Sequence, residues 1–396
     1  FLEVGMPYTE IEKNGHYDEV EKAFLSGQTV MIIDGFDECI LIDCRTYPMR
    51  SVTEPYKDKV LRGSRDGFVE TLVCNAALLR RRIRDSRLSM EMYTVGERSR
   101  TDVAVCYIDD KVDKKLLQRI ENLISSIEVE ALTMNIESLA ECMFTHKWIN
   151  PFPKFKYSER PDTATAAILD GNIVIMVDNS PAVMIIPASI FDIIEEADDF
   201  NFSPIVGSYL RITRFFFSIV TWILTPLWLL FVNNPDWVPE FLKFILITDD
   251  ITVPVLLQLL ILELAVDGLK LAAVNTPTML STPLSIVAGI VVGEYAVSSG
   301  WFNPEALLYM AVVTVGTYGQ TNFEMGYAFK FLRVLMLILT QIFNLAGFIT
   351  GVIISVLMIA FNRTITGKSY IYPLIPWDGK MLKRKVFRVR LPHGFK

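Results

Sequence analysis

The run FFFSIVTWILTPLWLLFV, residues 215–232, holds 18 residues without a charge. That is about the shortest apolar segment that carries a helix across the ~30 Å hydrocarbon core of a bilayer. Arg211 and Arg214 stand just before it. On its N-terminal side, charged and apolar residues mix as they do in soluble elements. On its C-terminal side, long apolar runs dominate and raise the mean hydropathy of the chain above zero. The expected architecture is therefore an α/β N-terminal region in two lobes followed by an all-α multi-pass membrane domain. The expected boundaries are 1–147 and 148–204 for the lobes, 205–364 for the membrane domain and 365–396 for a basic tail.

In the soluble half, residues 28–44 (QTVMIIDGFDECILIDC) place two β-branched runs around D-G-F-D, which is a hairpin signal. A helical stretch at 17–25 precedes them. Residues 167–186 (AILDGNIVIMVDNSPAVMII) align with 23–42 at a shift of 144. Ala23 falls on Ala167, Leu25 on Leu169, Gly27 on Gly171, Val30 on Val174, Asp34 on Asp178 and Ile42 on Ile186. Both segments read as helix, glycine cap, strand, turn and strand, and they are expected to fold alike. Between them, Phe68, Leu72, Ala76, Leu79 and Ile83 form a helical stripe. Arg80, Arg81, Arg82 and Arg84 crowd its end, where cations suit the helix dipole. Two readings of that run stay open: a phosphate or lipid site, or a helix end that is solvated or paired with Asp66, Glu70 or another subunit. Residues 88–95 and 101–108 read as strands, 113–127 and 135–143 as helices, and the Pro-rich 148–161 as the boundary between lobes.

The chemistry of enzymes is not visible. There is no Walker loop, G-x-G-x-x-G, H-E-x-x-H or G-x-S-x-G pattern. His16, His146 and His393 are far apart, and the five cysteines form no C-x-x-C pair. Neither an enzyme, a cofactor nor a metal site is expected, and the odd cysteine count suits reduced thiols in a cytosolic compartment. No basic-then-apolar leader is present, and the start at Phe1 reads as a chain that begins within a longer protein. Net charge is −7, but Lys380, Lys383, Arg384, Lys385, Arg388, Arg390 and Lys396 make the tail basic. A basic segment after a membrane span is expected to stay cytoplasmic beside anionic lipid rather than to bind nucleic acid.

In the membrane half, residues 251–274 (ITVPVLLQLLILELAVDGLKLAAV) carry Glu263, Asp267 and Lys270 at spacings that put all three on one helical face. Charges at membrane depth usually face a bundle interior or a water-filled path. Two other readings remain: a helix lying flat in the interface, or an Asp267–Lys270 pair that only holds the fold. Pro277 breaks this helix within N-T-P-T. The next segment contains Glu294 and a small-xxx-small pair, Gly289 and Gly293, suited to close packing. Lys330 and Arg333 flank a 28-residue uncharged run at 334–361. Asn344 to Gly347 are expected to divide it into two arms or to kink it, and Gly347 and Gly351 repeat the small-residue spacing. An even number of crossings, four or six, is expected.

Several of these motifs carry a family resemblance. They are Glu54–Pro55, VLRGSRDGFVE (60–70, with Arg62, Gly63, Arg65, Asp66, Gly67 and Phe68), LLRRRIRD (78–85), SERPD (158–162) and DGN (170–172). The membrane half adds NTPT (275–278), Gly293–Glu294 and YAFKFLR (327–333). Across nearly its whole length the chain resembles the A-subunit family of spore germination receptors (GerA type), and most the stage V sporulation protein AF branch. One departure is clear: receptor members carry R-E-G-x-P-F-P where 248–254 reads TDDITVP, which keeps only Pro254. The resemblance implies a protein of the inner spore membrane, its N-terminal domain and tail on the cytoplasmic (core) side. It implies a homo-oligomeric ring, a pentamer, that passes ions, and an AF-like role in amplifying ion release beside other germination membrane proteins of the dipicolinate-release machinery. It implies no enzyme.

Three functions are in competition. The first is a subunit of an oligomeric ion channel, with Glu263, Asp267, Lys270 and Glu294 along its path. The second is a non-conducting scaffold or signal transducer that couples germinant receptors to dipicolinate release. The third is a secondary transporter, although no inverted repeat is seen.

Overall fold

The computed structural model describes residues 11–44, 50–144, 150–275, 289–362, 364–365, 367 and 369–389, without the side chains of 290–292. A small sheet opens the chain. Strand β1 (Ile11–Asn14) is followed by helix α1 (Tyr17–Leu25), β2 (Thr29–Met31) and β3 (Cys39–Ile42), with β3 in the middle and both pairings antiparallel.

The larger unit is a sandwich of helices on a five-stranded antiparallel sheet. It comprises α2 (Leu72–Arg82), β4 (Leu88–Val95), β5 (Thr101–Ile108), α3 (Lys114–Ser125), α4 (Ile136–Met143), β6 (Lys156–Ser158), α5 (Pro161–Leu169), β7 (Ile173–Val177) and β8 (Val183–Ile186). The sheet order is β4-β5-β7-β8-β6. Side chains alternate across the strands. Val103, Val105, Ile173 and Ile175 pack under α3 and α4 with Ile120 and Leu139. Ala104, Cys106, Val174 and Met176 pack under α2 and α5 with Leu79 and Ile168. The sheet draws β4 and β5 from one side of the expected 147/148 boundary and β6, β7 and β8 from the other. That boundary is corrected: the division falls between the small sheet and this one, because β5 and β7 share backbone hydrogen bonds.

The repeat is real at the level of register. Thr29 faces Ile42 and Met31 faces Ile40; Ile173 faces Ile186 and Ile175 faces Met184, the same pairs shifted by 144. Gly27 and Gly171 sit at φ 89° and 91°, a left-handed conformation that glycine alone adopts without cost.

The helical half begins with α6 (Ile190–Ile194), α7 (Asp198–Asn201) and α8 (Pro204–Asn233). After two 3-10 turns come α9 (Val255–Asn275), a π-helical turn (Gly289–Tyr295), α10 (Pro304–Tyr318), α11 (Phe323–Ala360) and α12 (Gly379–Val386). By length and composition, α8 and α11 are apolar enough to cross a membrane. Helix α11 is not straight. Asn344 has φ 52° and ψ −129°. A Cβ on Gly347 would collide with the Leu339 carbonyl, and one on Gly351 would come 2.8 Å from Met336 Cγ. In a straight helix those pairs would stand about 12 and 22 Å apart. The chain therefore doubles back, in arms 323–343 and 345–360 about 31 and 24 Å long. Of the two expected readings, two arms and not a kink is correct, and the helix starts at Phe323 rather than after Arg333. Gly347 and Gly351 let the arms touch. The elbow is tied to the far end of α8 by reciprocal amide bonds, Asn234 to Asn344 at 2.6 Å and Asn344 to Asn234 at 2.9 Å.

The second arm returns Met358 and Ile359 to Phe152 and Phe329, beside the α/β unit. The tail also ends there. Lys385 binds Asp192, and Arg211 donates to the Arg384 and Lys385 carbonyls at 3.2 and 3.0 Å. Tail and α/β unit thus meet at one end of the helical half. Lys385 is spent on protein; Lys380 and Lys383 stay exposed.

Candidate functional site: a charged cluster within the helical half

Helix α9 packs between α8, α10 and α11 through Leu259 and Leu262, both buried. Its opposite face exposes Leu257, Leu264 and Leu271. The inward face carries the charges. Glu263 is 4% exposed and accepts from Arg333 Nε at 2.5 Å. Arg333, 3% exposed, also donates to the Thr221 carbonyl of α8. Lys330, one turn earlier on α11, donates to the Glu263 carbonyl at 3.2 Å and to Asp267 Oδ2. Lys270 does not pair with Asp267. Its ammonium lies 5.4 Å from the Tyr318 ring centre and 5.5 Å from that of Tyr327, a cation–π position. Of the readings left open, an Asp267–Lys270 brace is not what forms here: Lys330 reaches the same carboxylate from the neighbouring helix.

Buried charges are tolerated only when paired and hydrogen-bonded. Glu263 and Arg333 meet that condition, while Asp267 Oδ1 is buried without a hydrogen-bond partner. Between Asp267, Lys270, Thr314, Thr317 and Arg333 is a cavity of about 20 Å³, room for one water. The Thr314 and Thr317 hydroxyls donate back to their own helix at 2.7 and 2.8 Å, so their lone pairs remain available. Gln320 donates to the Thr221 hydroxyl at 3.1 Å, and its Oε1 is buried and unpartnered. Above the cluster, Gln258 and Asn303 exchange hydrogen bonds of 2.7 and 2.8 Å and seal α9 to the start of α10.

Sequence reading found Glu263, Asp267 and Lys270 but took Lys330 and Arg333 for flanking charges at a membrane edge. A signal was present. Lys330 and Arg333 are spaced i, i+3, which puts both on one helical face, as Glu263 and Asp267 are at i, i+4. Glu294 is exposed and meets no member of the cluster. A Cβ on Gly289 or Gly293 would meet no described atom within 4 Å, so among the described residues these two provide no close packing. Pro277 lies outside the described residues.

The 60–70 motif forms a brace. Asp66 accepts from Arg81 at 2.9 Å and Arg82 at 2.5 Å, and Arg82 also donates to Ser64 at 2.8 Å. Burial alone would raise the Asp66 carboxyl, but Ser64 and Arg82 outweigh it and hold it below its ordinary value. Arg80 donates to the Asp85 and Leu88 carbonyls. Arg160, 1% exposed, donates to the Ser64 carbonyl at 2.8 Å. Gly67 lies where a Cβ would be 2.8 Å from the Thr53 carbonyl; Gly63, at φ 139°, lies against Asn201; Phe68 is buried. Arg62 and Arg65 stay exposed. Of the two readings of the arginine run, pairing with Asp66 describes Arg81 and Arg82. Among the described residues, no group of three His, Cys, Asp or Glu side chains is placed to hold a metal.

Comparison with known proteins agrees with these motifs. The family model described as "Bacillus/Clostridium GerA spore germination protein" matches residues 1–395. Stage V sporulation protein AF of Bacillus subtilis (strain 168) is 39% identical over 97% of this chain and 77% of its own length. Spore germination protein GerLA of Bacillus cereus is 28% identical over 96% and 77% respectively. Among solved structures, the N-terminal domain of the A subunit of the Bacillus megaterium spore germinant receptor GerK3 matches 30% of this chain and 93% of that one, at 30% identity and a TM-score of 0.25.

Proposed function

This chain belongs to the Bacillus/Clostridium GerA family of spore germination proteins, and from that premise we propose that it is a subunit of an oligomeric ion channel that amplifies ion release during germination. It sits in the inner spore membrane with the α/β unit and the tail on the core side, assembles as a ring, a pentamer by resemblance, and works beside other germination membrane proteins. The observation that carries this reading is Asp267. Its Oδ1 is unpartnered beside a water-sized cavity, and a carboxylate held inside a membrane bundle usually marks an ion path. Glu263, enclosed by Arg333 and Lys330, anchors the wall rather than lining it. No relative reported above is named as an enzyme.

A second reading, a non-conducting transducer, is favoured by one observation. The tail, α6 and the base of α8 are joined through Asp199 and Lys385, so displacement of the α/β unit would be transmitted to α8. Purified full chain in planar bilayers separates the two. The channel reading expects cation current whose selectivity falls in Asp267→Asn while assembly is kept. Absent current, or selectivity unchanged in that variant, would put the transducer ahead.

A further inference from the structure

Between α5, α6 and the tail helix α12 lies an open cavity of about 670 Å³, within the range of sites that take small organic molecules. It is remote from the charged cluster, and the proposed channel does not use it. Ala166, Leu169, Phe200 and Met381 give it an apolar lining. Its charged residues fall into two groups. The acids are mostly engaged: Asp162 by Arg160 at 2.6 Å, Glu195 by Arg211 at 3.1 Å, and Asp192 by Lys385. Asp170 carries no such ion pair, and burial pushes its carboxyl up, toward the neutral form. The cations are not all engaged. Arg82 Nε, Arg384 Nη2 and Arg388 Nη1 are each buried without a hydrogen-bond partner, and all three arginines line the cavity.

A buried charged donor left without an acceptor is costly, and native structures rarely leave several together. A planar guanidinium fork suits carboxylate and phosphate oxygens. We propose that this cavity binds a small organic anion. Its phosphate or carboxylate lies against Arg384 and Arg388, and its apolar body lies against Ala166, Leu169 and Phe200. Two sources share that chemistry, a free organic anion and an anionic lipid headgroup, since Arg388 is fastened beside the base of α8 by its N–H on Ser208 at 3.0 Å. Either occupant would bridge α5 to α12 and stabilise the docked tail by mass action.

The test uses the full chain in phosphatidylcholine nanodiscs, with phenyl phosphate and inorganic phosphate as probes and thermal unfolding as readout. Phenyl phosphate should raise Tm, and inorganic phosphate should raise it less because it leaves the apolar lining unused. The Arg384→Gln/Arg388→Gln variant should bind phenyl phosphate roughly tenfold or more weakly. Ala166→Phe keeps both arginines and places a ring on the apolar lining where the phenyl group would lie; it should weaken the phenyl phosphate response and keep the inorganic one. A gain of Tm in phosphatidylglycerol discs that depends on the same arginines, with no further response to phenyl phosphate, would support the site with a headgroup as occupant. No response to phenyl phosphate together with no arginine-dependent gain in phosphatidylglycerol would overturn the proposal. So would a phenyl phosphate response unchanged in the double arginine variant.

Discussion

Asp199 and Asp267 both accept from cations on a helix of the membrane half, yet their surroundings differ in one respect. Asp199, at 0% exposure, uses both oxygens: Oδ2 takes Arg211 at 3.2 Å and Arg214 at 2.9 Å, and Oδ1 takes Arg214 again. Asp267 gives one oxygen to Lys330 and leaves the other unpartnered beside a cavity. The first carboxylate has both oxygens engaged by cations. The second is half used. A saturated buried pair holds elements in register; removing one partner leaves uncompensated charge behind. A half-used carboxylate costs the fold something and retains an acceptor for water or an ion. The network at the base of α8 is on this argument a clamp, and the network between α9 and α11 is a wall with one open position.

The largest effect expected of this difference is at the clamp. Asp199→Ala removes the buried carboxylate that two guanidinium groups share, leaving them Glu195 and Glu196, and should destabilise the full chain by about 4 kcal/mol, within the range for breaking a buried pair. The tail should become protease-sensitive before global unfolding. A loss under about 1 kcal/mol with a protected tail would break the contrast, since it would place Asp199 with ordinary surface pairs. Next comes the saturated member of the wall. Glu263→Gln removes the partner of Arg333 but leaves a hydrogen-bond acceptor, so about 3 kcal/mol is expected, read as a lower midpoint in thermal unfolding in nanodiscs. Asp267→Asn should cost less than about 1 kcal/mol, because Lys330 keeps its contacts with Glu263. A cost for Asp267→Asn equal to that for Glu263→Gln would mean that the two carboxylates play one structural role.

Much of this was legible in the chain. The two hairpin units could be matched by eye because a strand repeats every two residues and each unit carries a glycine at the same left-handed position. Phe215 to Val232 marked a span because a charge-free run needs no partner to be recognised. The charged face of α9 was also visible, since spacing fixes which residues share a face. Spacing does not say which cation meets that face. Lys330 and Arg333 lie 63 and 70 residues from their carboxylates, and a basic pair before an apolar run looks the same whether it ends at the interface or turns inward. The reversal at Asn344 was hidden for a related reason. The chain is uncharged on both sides of the elbow from Val334 to Phe361, so no change of composition marks it, and only Asn344 with Gly347 and Gly351 hinted at it. The lobe boundary failed because a proline-rich connection between two strands of one sheet resembles a linker between domains.

The smallest effect should come from the rim of the clamp, and it has a sign that can be worked out. Asp192 and Lys385 join α6 to α12. Burial would raise the Asp192 carboxyl, but Lys385 and Ser189 outweigh it and hold it below its ordinary 3.8. Burial would lower the Lys385 ammonium, but Asp192 and Glu195 outweigh it and hold it above its ordinary 10.5. A depressed acid contributes stability that is complete above its unfolded value and is lost as pH falls through the folded one. A raised base contributes stability that is complete below its unfolded value and is lost as pH rises through the folded one. Tail docking should therefore be flat between about pH 5 and pH 9 and weaken below about pH 3.8. Limited proteolysis of the tail with an acid-tolerant protease should show several-fold faster cleavage at the acid end in the wild type. Lys385→Met removes the partner that depresses Asp192, so its cleavage should be faster already at neutral pH and should change little more as acid is added. Equal acid sensitivity in both proteins would show that the tail is released by some other group, and the Asp192–Lys385 pair would drop out of the clamp.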